Sequence, residues 1–80
     1  MHETHLIDNI LKYLKNEESK TRRKIKKIHV TLSEFGAITA QHFLEHFKEV
    51  TSGTKWSGLT IVIKKVKYGP EFEITKINFK

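Results

Sequence analysis

Eighty residues carrying 15 Lys and Arg against nine Asp and Glu, a formal charge of +6, allow one small basic domain and exclude a large enclosed catalytic cleft. A hydrophobic content of 38%, with five Phe, two Tyr and one Trp, argues against a disordered chain, and the absence of Cys excludes disulfides and thiolate metal sites. Cysteine-free composition fits a reducing compartment, and Leu6 to Leu14 is too interrupted by Asp8, Asn9, Lys12 and Tyr13 for a signal or membrane segment, so a soluble cytoplasmic protein is the default expectation.

Leu6, Ile7, Ile10, Leu11 and Leu14 recur at helical spacing and predict a first helix over Thr4 to Glu18, with His5, Asp8, Asn9 and Lys12 on its polar side. The polar run from Asn16 to Arg23 is expected to end it. Ile28, Val30 and Leu32 then alternate with polar residues, which predicts a half-buried strand near Lys24 to Phe35. Thr39 is a candidate N-cap for a second helix over Ala40 to Thr51. Ile38 and Phe43 are placed as a hydrophobic staple, Phe43, Phe47 and Val50 as its buried stripe, and Gly53 as its stop. Thr54 to Gly58 reads as a loop carrying the single Trp. Leu59 to Lys67 predicts a second strand and Phe72 to Phe79 a third, joined by the turn signal Tyr68-Gly69-Pro70-Glu71 into a hairpin. The apolar parity of the last strand changes between Ile74 and Ile77, which requires a bulge near Thr75-Lys76. The order αβαββ predicts an α+β fold, two helices packed on one face of a three-stranded sheet.

Three groups of residues carry chemistry. His42-Phe43-Leu44-Glu45-His46 matches the H-x-x-E-H zinc-protease pattern, and its i, i+4 imidazoles share a helix face. No third ligand or substrate cleft accompanies it, so a helix-border role is the simpler reading, and nothing supports an enzyme. Lys20 to Lys27 forms a basic cluster that suits phosphate or an acidic surface. Lys64, Lys65 and Lys67 would extend it, with Trp56 or Tyr68 as stacking platforms, although lysines on exposed strands also serve simply to block edge pairing.

The third group is Met1-His2-Glu3. A free α-amine titrates near ~8 and an imidazole near ~6.5, so both give up protons at modest cost. The amine, the His2 backbone nitrogen and the His2 imidazole close adjoining chelate rings, a donor set that suits square-planar Ni²⁺ or Cu²⁺. Glu3 offers an amide nitrogen or a carboxylate, and His5 is near enough to be a fourth ligand. The plain alternative is a His that follows Met by chance.

The order of "MHE", an amphipathic helix, "KIKKIHVTLSEFGAIT", "HFLEHFKEVTSGTKWSGLTIVI" and "EFEITKINF" resembles the HypA family, nickel metallochaperones of nickel–iron hydrogenase maturation. Leu32-Ser33-Glu34 looks like the family's "LGE" with Ser33 in place of Gly, and Gly53-Thr54 with Gly58 looks like its "GT…EGA" loop. The resemblance implies Ni(II) held by Met1, His2 and Glu3, with His5 as a further candidate. It implies a HypB-like GTPase and the hydrogenase large-subunit precursor as partners, or urease as target for some relatives. It also makes the first helix, through Leu6, Asn9, Lys12 and Tyr13, the expected docking face. One departure is large. The family inserts a zinc domain with two CxxC pairs between two strands, whereas here "VKYGPEFEI" runs directly between them without Cys, so no structural zinc is expected. The alternatives are a metal-free interaction module of the same fold and, less favoured, a basic nucleic-acid-binding domain.

Overall fold

The computed structural model describes residues 3–80, with side chains from His5 onward. The elements in chain order are helix α1 (Glu3–Thr21), strand β1 (Ile25–Ser33), helix α2 (Ala40–Thr51), a 3₁₀ turn (Lys55–Gly58), and strands β2 (Thr60–Val66) and β3 (Phe72–Phe79). This is the α+β arrangement of two helices and a three-stranded sheet that the sequence predicts, and the sheet is mixed.

Helix α1 outlasts its expected end at Glu18 because the polar run continues it rather than breaking it. Glu17 and Lys20 pair across one turn, the Thr21 hydroxyl donates to the Glu17 carbonyl, and only at Arg22 does the chain turn left-handed, at φ 57°. Helix α2 has the expected bounds. The Thr39 hydroxyl accepts from the His42 N–H at 3.2 Å, satisfying one of the free donors of the first turn, and Gly53 takes φ 78° beyond the last turn. Its buried stripe differs from expectation at one position. Val50 is 37% exposed, and Thr51 is buried instead, its hydroxyl bonded to the Phe47 carbonyl at 2.7 Å. A hydroxyl that returns to its own helix loses no hydrogen bond on burial, which is why a polar residue takes this place.

The sheet order is β2-β1-β3, with β2 parallel and β3 antiparallel to β1. The expected β2–β3 hairpin is therefore wrong: both strands are edges, and β1 lies between them. Segment 67–71 crosses the end of β1, where the Glu34 N–H donates to the Val66 carbonyl and the Ser33 N–H to the Glu71 carbonyl. Flanking strands of a three-stranded sheet stand about 10 Å apart, within easy reach of five extended residues. β1 takes the centre because Ile28, Val30 and Leu32, each at most 1% exposed, are its most completely buried row.

The expected bulge is present. His29 pairs with Lys76 and Val30 with Ile74, which leaves Thr75 as the extra residue and turns Phe72, Ile74, Ile77 and Phe79 all toward the helices. A second irregularity falls on β1, where Lys26 is skipped between the Ile25–Phe79 and Lys27–Asn78 pairs, so that Ile25 and Ile28 share the buried side. The core lies between this face and the stripes Ile7, Ile10, Leu14 and Phe43, Phe47, and Trp56 closes it at one end.

Candidate functional site

The Glu18 carboxylate, near the end of α1, receives the N–H of Ile25 at the start of β1. The helix therefore runs antiparallel to β1, and its N-terminal end lies toward the end of the sheet where segments 34–39 and 67–71 turn. Gly36 fits there because a Cβ would meet the Glu71 side chain at 2.8 Å.

Met1 and His2 lie outside the described residues, and Glu3 opens the helix. His5 is exposed in the first turn. Of the predicted docking residues, Asn9, Lys12 and Tyr13 are exposed and Leu6 is half-buried against the core. Asn9 and Tyr13, with Phe72, Glu73 and Ile74, line a shallow groove of about 300 Å³ between α1 and β3.

The His42–His46 pair sits on α2, His42 in its first turn and exposed, His46 at mid-helix and half-buried. Among the described residues no group of three or more His, Cys, Asp or Glu side chains converges as a metal site. The zinc-protease reading therefore gains no third ligand from them.

A larger cleft is elsewhere among the described residues. It holds about 570 Å³ at the opposite end of the sheet, between the start of β1, the 3₁₀ turn and Lys80. Lys24, Lys26, Lys27, Lys55 and Lys80 line it, together with Trp56 and Glu18. A shallower hollow beside it adds Lys15, Arg22 and Arg23. With Lys20 these residues make up more than half of the chain's 15 basic side chains, gathered at one pole. Glu18, its side chain 12% exposed, is the half-buried acid there: one oxygen accepts from Ile25 N–H at 2.7 Å and the other from the Lys55 ammonium. Burial pushes its carboxyl up, but the Lys55 and Ile25 hydrogen bonds and the charges of Lys55 and Lys24 outweigh that, and the group sits below the ordinary carboxylate range.

The pole is not the stacking surface that the sequence suggested. Parallel pairing of Lys27 with Thr60 and Ser33 with Val66 sends Lys64, Lys65 and Lys67 toward the other end of the sheet. Tyr68 is at that far end as well, 84% exposed and 6.4 Å from Phe35, and Trp56 is only 9% exposed with the Lys55 ammonium 4.7 Å from its ring centre.

A family model described as "Hydrogenase/urease nickel incorporation, metallochaperone, hypA" matches residues 1–77. The chain belongs to the HypA family. No curated protein matches it closely enough to add a relative. HypA-family membership supports a nickel-incorporation metallochaperone in hydrogenase or urease maturation, a role of carrying rather than of catalysis. The match also takes in α1, both ends of the sheet and segment 67–71. Among the described residues no helix is long and apolar enough to cross a membrane.

What sequence reasoning missed in this HypA-family chain is the partnership of Lys55 and Lys80 with the Lys20–Lys27 cluster. The charge run was visible. Its completion by a lysine 37 positions from Glu18 and by the end of β3 depends on tertiary structure alone.

Proposed function

We propose that this chain carries Ni(II) at Met1, His2 and Glu3 and delivers it to a hydrogenase large-subunit precursor, working with a HypB-like GTPase in the cytoplasm. The observation that carries the reading is the family match over residues 1–77, which includes the "MHE" motif.

Physical chemistry supports a particular donor set. The first N–H groups of a helix have no partner within it, so the Glu3 amide at the head of α1 is not committed to a helical hydrogen bond. A bare divalent cation would meet the positive end of the α1 macrodipole, which disfavours it. Amide nitrogens that have lost their protons to the metal bring compensating negative charge. An amine, one or two amidates and the His2 imidazole thus suit this position better than a cluster of neutral ligands. Uptake would release protons, and acidification would release the nickel. His5, exposed in the first turn of α1, is the candidate further ligand. With no Cys in the sequence, the proposal assigns nickel holding to these residues and no structural zinc to the chain. The exposed row Asn9, Lys12 and Tyr13, with the edge of Leu6, is the proposed GTPase contact.

The test is a Ni²⁺ titration by calorimetry and visible absorption on three forms: the chain beginning at Met1, a form with two extra residues before Met1, and His2→Ala. One Ni²⁺ per chain with a square-planar spectrum, lost in the second and third forms, is expected. Equal binding by all three would overturn the assignment and direct attention to His42 and His46, and a double His42→Ala, His46→Ala variant identifies that outcome. Absence of binding in every form would leave the metal-free interaction module as the reading.

A further inference from the structure

The basic pole has no part in the nickel chemistry above. Helix α1 spans 19 residues, about 28 Å at 1.5 Å per residue, so the pole and the N-terminal end are separated by nearly the whole molecule. Lys24, Lys26, Lys27 and Lys80 make no ion pair among the described residues, and they face one cleft with the already committed Lys55. Like charges gathered around a concave, partly desolvated surface raise the local potential and attract an anion.

We propose that this cleft is a docking site for an extended acidic segment of a partner protein. Three observations select that occupant. The first is Glu18. It is the one acidic side chain among the described residues that line this cleft, and its charge is already met by the Lys55 ammonium and the Ile25 N–H, so Lys24, Lys26, Lys27 and Lys80 leave the cleft with a positive balance that an acidic chain would offset. The second is what is missing from the pole. Single-stranded nucleic acid needs exposed aromatic faces beside its cationic track. Trp56 is buried with Lys55 at its face, and the exposed pair Phe35 and Tyr68 is at the other end of the sheet. The third is the backbone. The cleft opens at Thr60, where β2 begins as an edge strand paired only with β1, so an extended chain lying there finds unpaired backbone groups beside the ammonium groups.

Docking at this pole leaves the N-terminal end free, so a partner can hold the carrier while the metal is exchanged at the far end. The proposal does not depend on the nickel reading, because the cleft and its charges are independent of residues 1–3.

The only Trp of the chain lines this cleft with the Lys55 ammonium 4.7 Å from its ring centre, so its fluorescence reports a carboxylate brought to Lys55. The full chain is titrated with an octaglutamate peptide, which has no fluorescence of its own, at about 50 and 200 mM salt. A saturable change in Trp56 emission is expected, with affinity falling at least tenfold in a Lys24→Glu, Lys26→Glu, Lys27→Glu variant. It should fall less than twofold in Lys64→Glu, Lys65→Glu, Lys67→Glu, a change of the same charge at the other end. Circular dichroism checks that both variants fold, and neutral Lys→Gln versions replace any that does not. Equal losses in both triples would show charge without a site and overturn the proposal. So would tighter binding of an eight-phosphate oligothymidine than of octaglutamate, which would make the pole a nucleic-acid surface.

Discussion

Glu18 and Ile25 are joined by a 2.7 Å hydrogen bond from the strand's first N–H to the helix's carboxylate, seven residues back. That bond closes the α1–β1 corner and caps a donor that the strand ladder leaves over. Lys55 completes the arrangement from the 3₁₀ turn at the same pole. Glu18→Ala removes both interactions and strands the Ile25 N–H. It should cost about 1–2 kcal/mol, at the lower end for hydrogen bonds to charged groups because Lys55 is 57% exposed. Urea unfolding of the variant against the parent measures it.

The same carboxylate predicts a pH dependence. Its folded value is below its unfolded one, about 4.3 for Glu, so its contribution is complete above that value and is lost as the pH falls through the folded value. Thermal midpoints should decline below about pH 4 in the parent and decline less in Glu18→Gln. An identical decline in the two proteins would assign acid sensitivity to other carboxylates.

Arg22 holds a left-handed conformation, φ 57°, where a Cβ is unfavourable and glycine is at home. Its sequence neighbours Arg23 and Lys24 carry the same charge. Arg22→Gly should raise stability by about 0.5–1 kcal/mol, read as an upward shift of the melting temperature. An unchanged or lower midpoint would show that the α1 terminus tolerates the strain without cost.

The stripe of α2 can be tested by contrast. Phe43 is fully buried, with ring centres 5.9 Å from Phe47 and 5.2 Å from Phe72, whereas Val50 is over a third exposed. Phe43→Ala should cost about 3–5 kcal/mol, enough to unfold much of so small a domain. Val50→Ala should stay under about 1 kcal/mol. Comparable losses would mean that Val50 is packed after all.

Deletions test the bulge in β3. Removing Thr75 takes out the unpaired residue and leaves Phe72, Ile74, Ile77 and Phe79 on the helix side, so the fold should persist. Removing Glu73 reverses the parity of Phe72 relative to Ile74 and should cost about 1.5–3 kcal/mol more, the burial of one large apolar side chain. Chemical denaturation of both deletions checks the order.

Much of this was legible because it is local. Thr39, Ile38 and Gly53 are capping signals within a few residues of the ends they set, and α2 has its expected bounds. The parity change between Ile74 and Ile77 announced the bulge, since the side chains of a regular strand alternate and only an extra residue lets both parities face one side. Strand order is different. Tyr68 to Glu71 carries turn residues whether the chain folds back on β2 or steps across β1, and only competition for the central place, won by the row Ile28, Val30, Leu32, decides between them. Val50 failed as a core residue for a similar reason: helical spacing leaves a position at the stripe's margin, and the neighbouring sheet determines which side is covered. At the candidate site, Met1-His2-Glu3 is a donor set proposed from the sequence, and Met1 and His2 lie outside the described residues. The pole built from Lys24, Lys55 and Lys80 was not legible in the sequence, because its members meet only after folding.

Segment 67–71 links two strands that never pair with each other. Each is held in place by β1, so the sheet's registration is indifferent to what joins them. A hairpin turn dictates the alignment of its arms; this connection dictates none. Its ends need only stay about 10 Å apart, a gap that five residues or an entire inserted module can bridge equally well. A lineage can therefore gain or shed a module at this point while the carrier's scaffold remains intact.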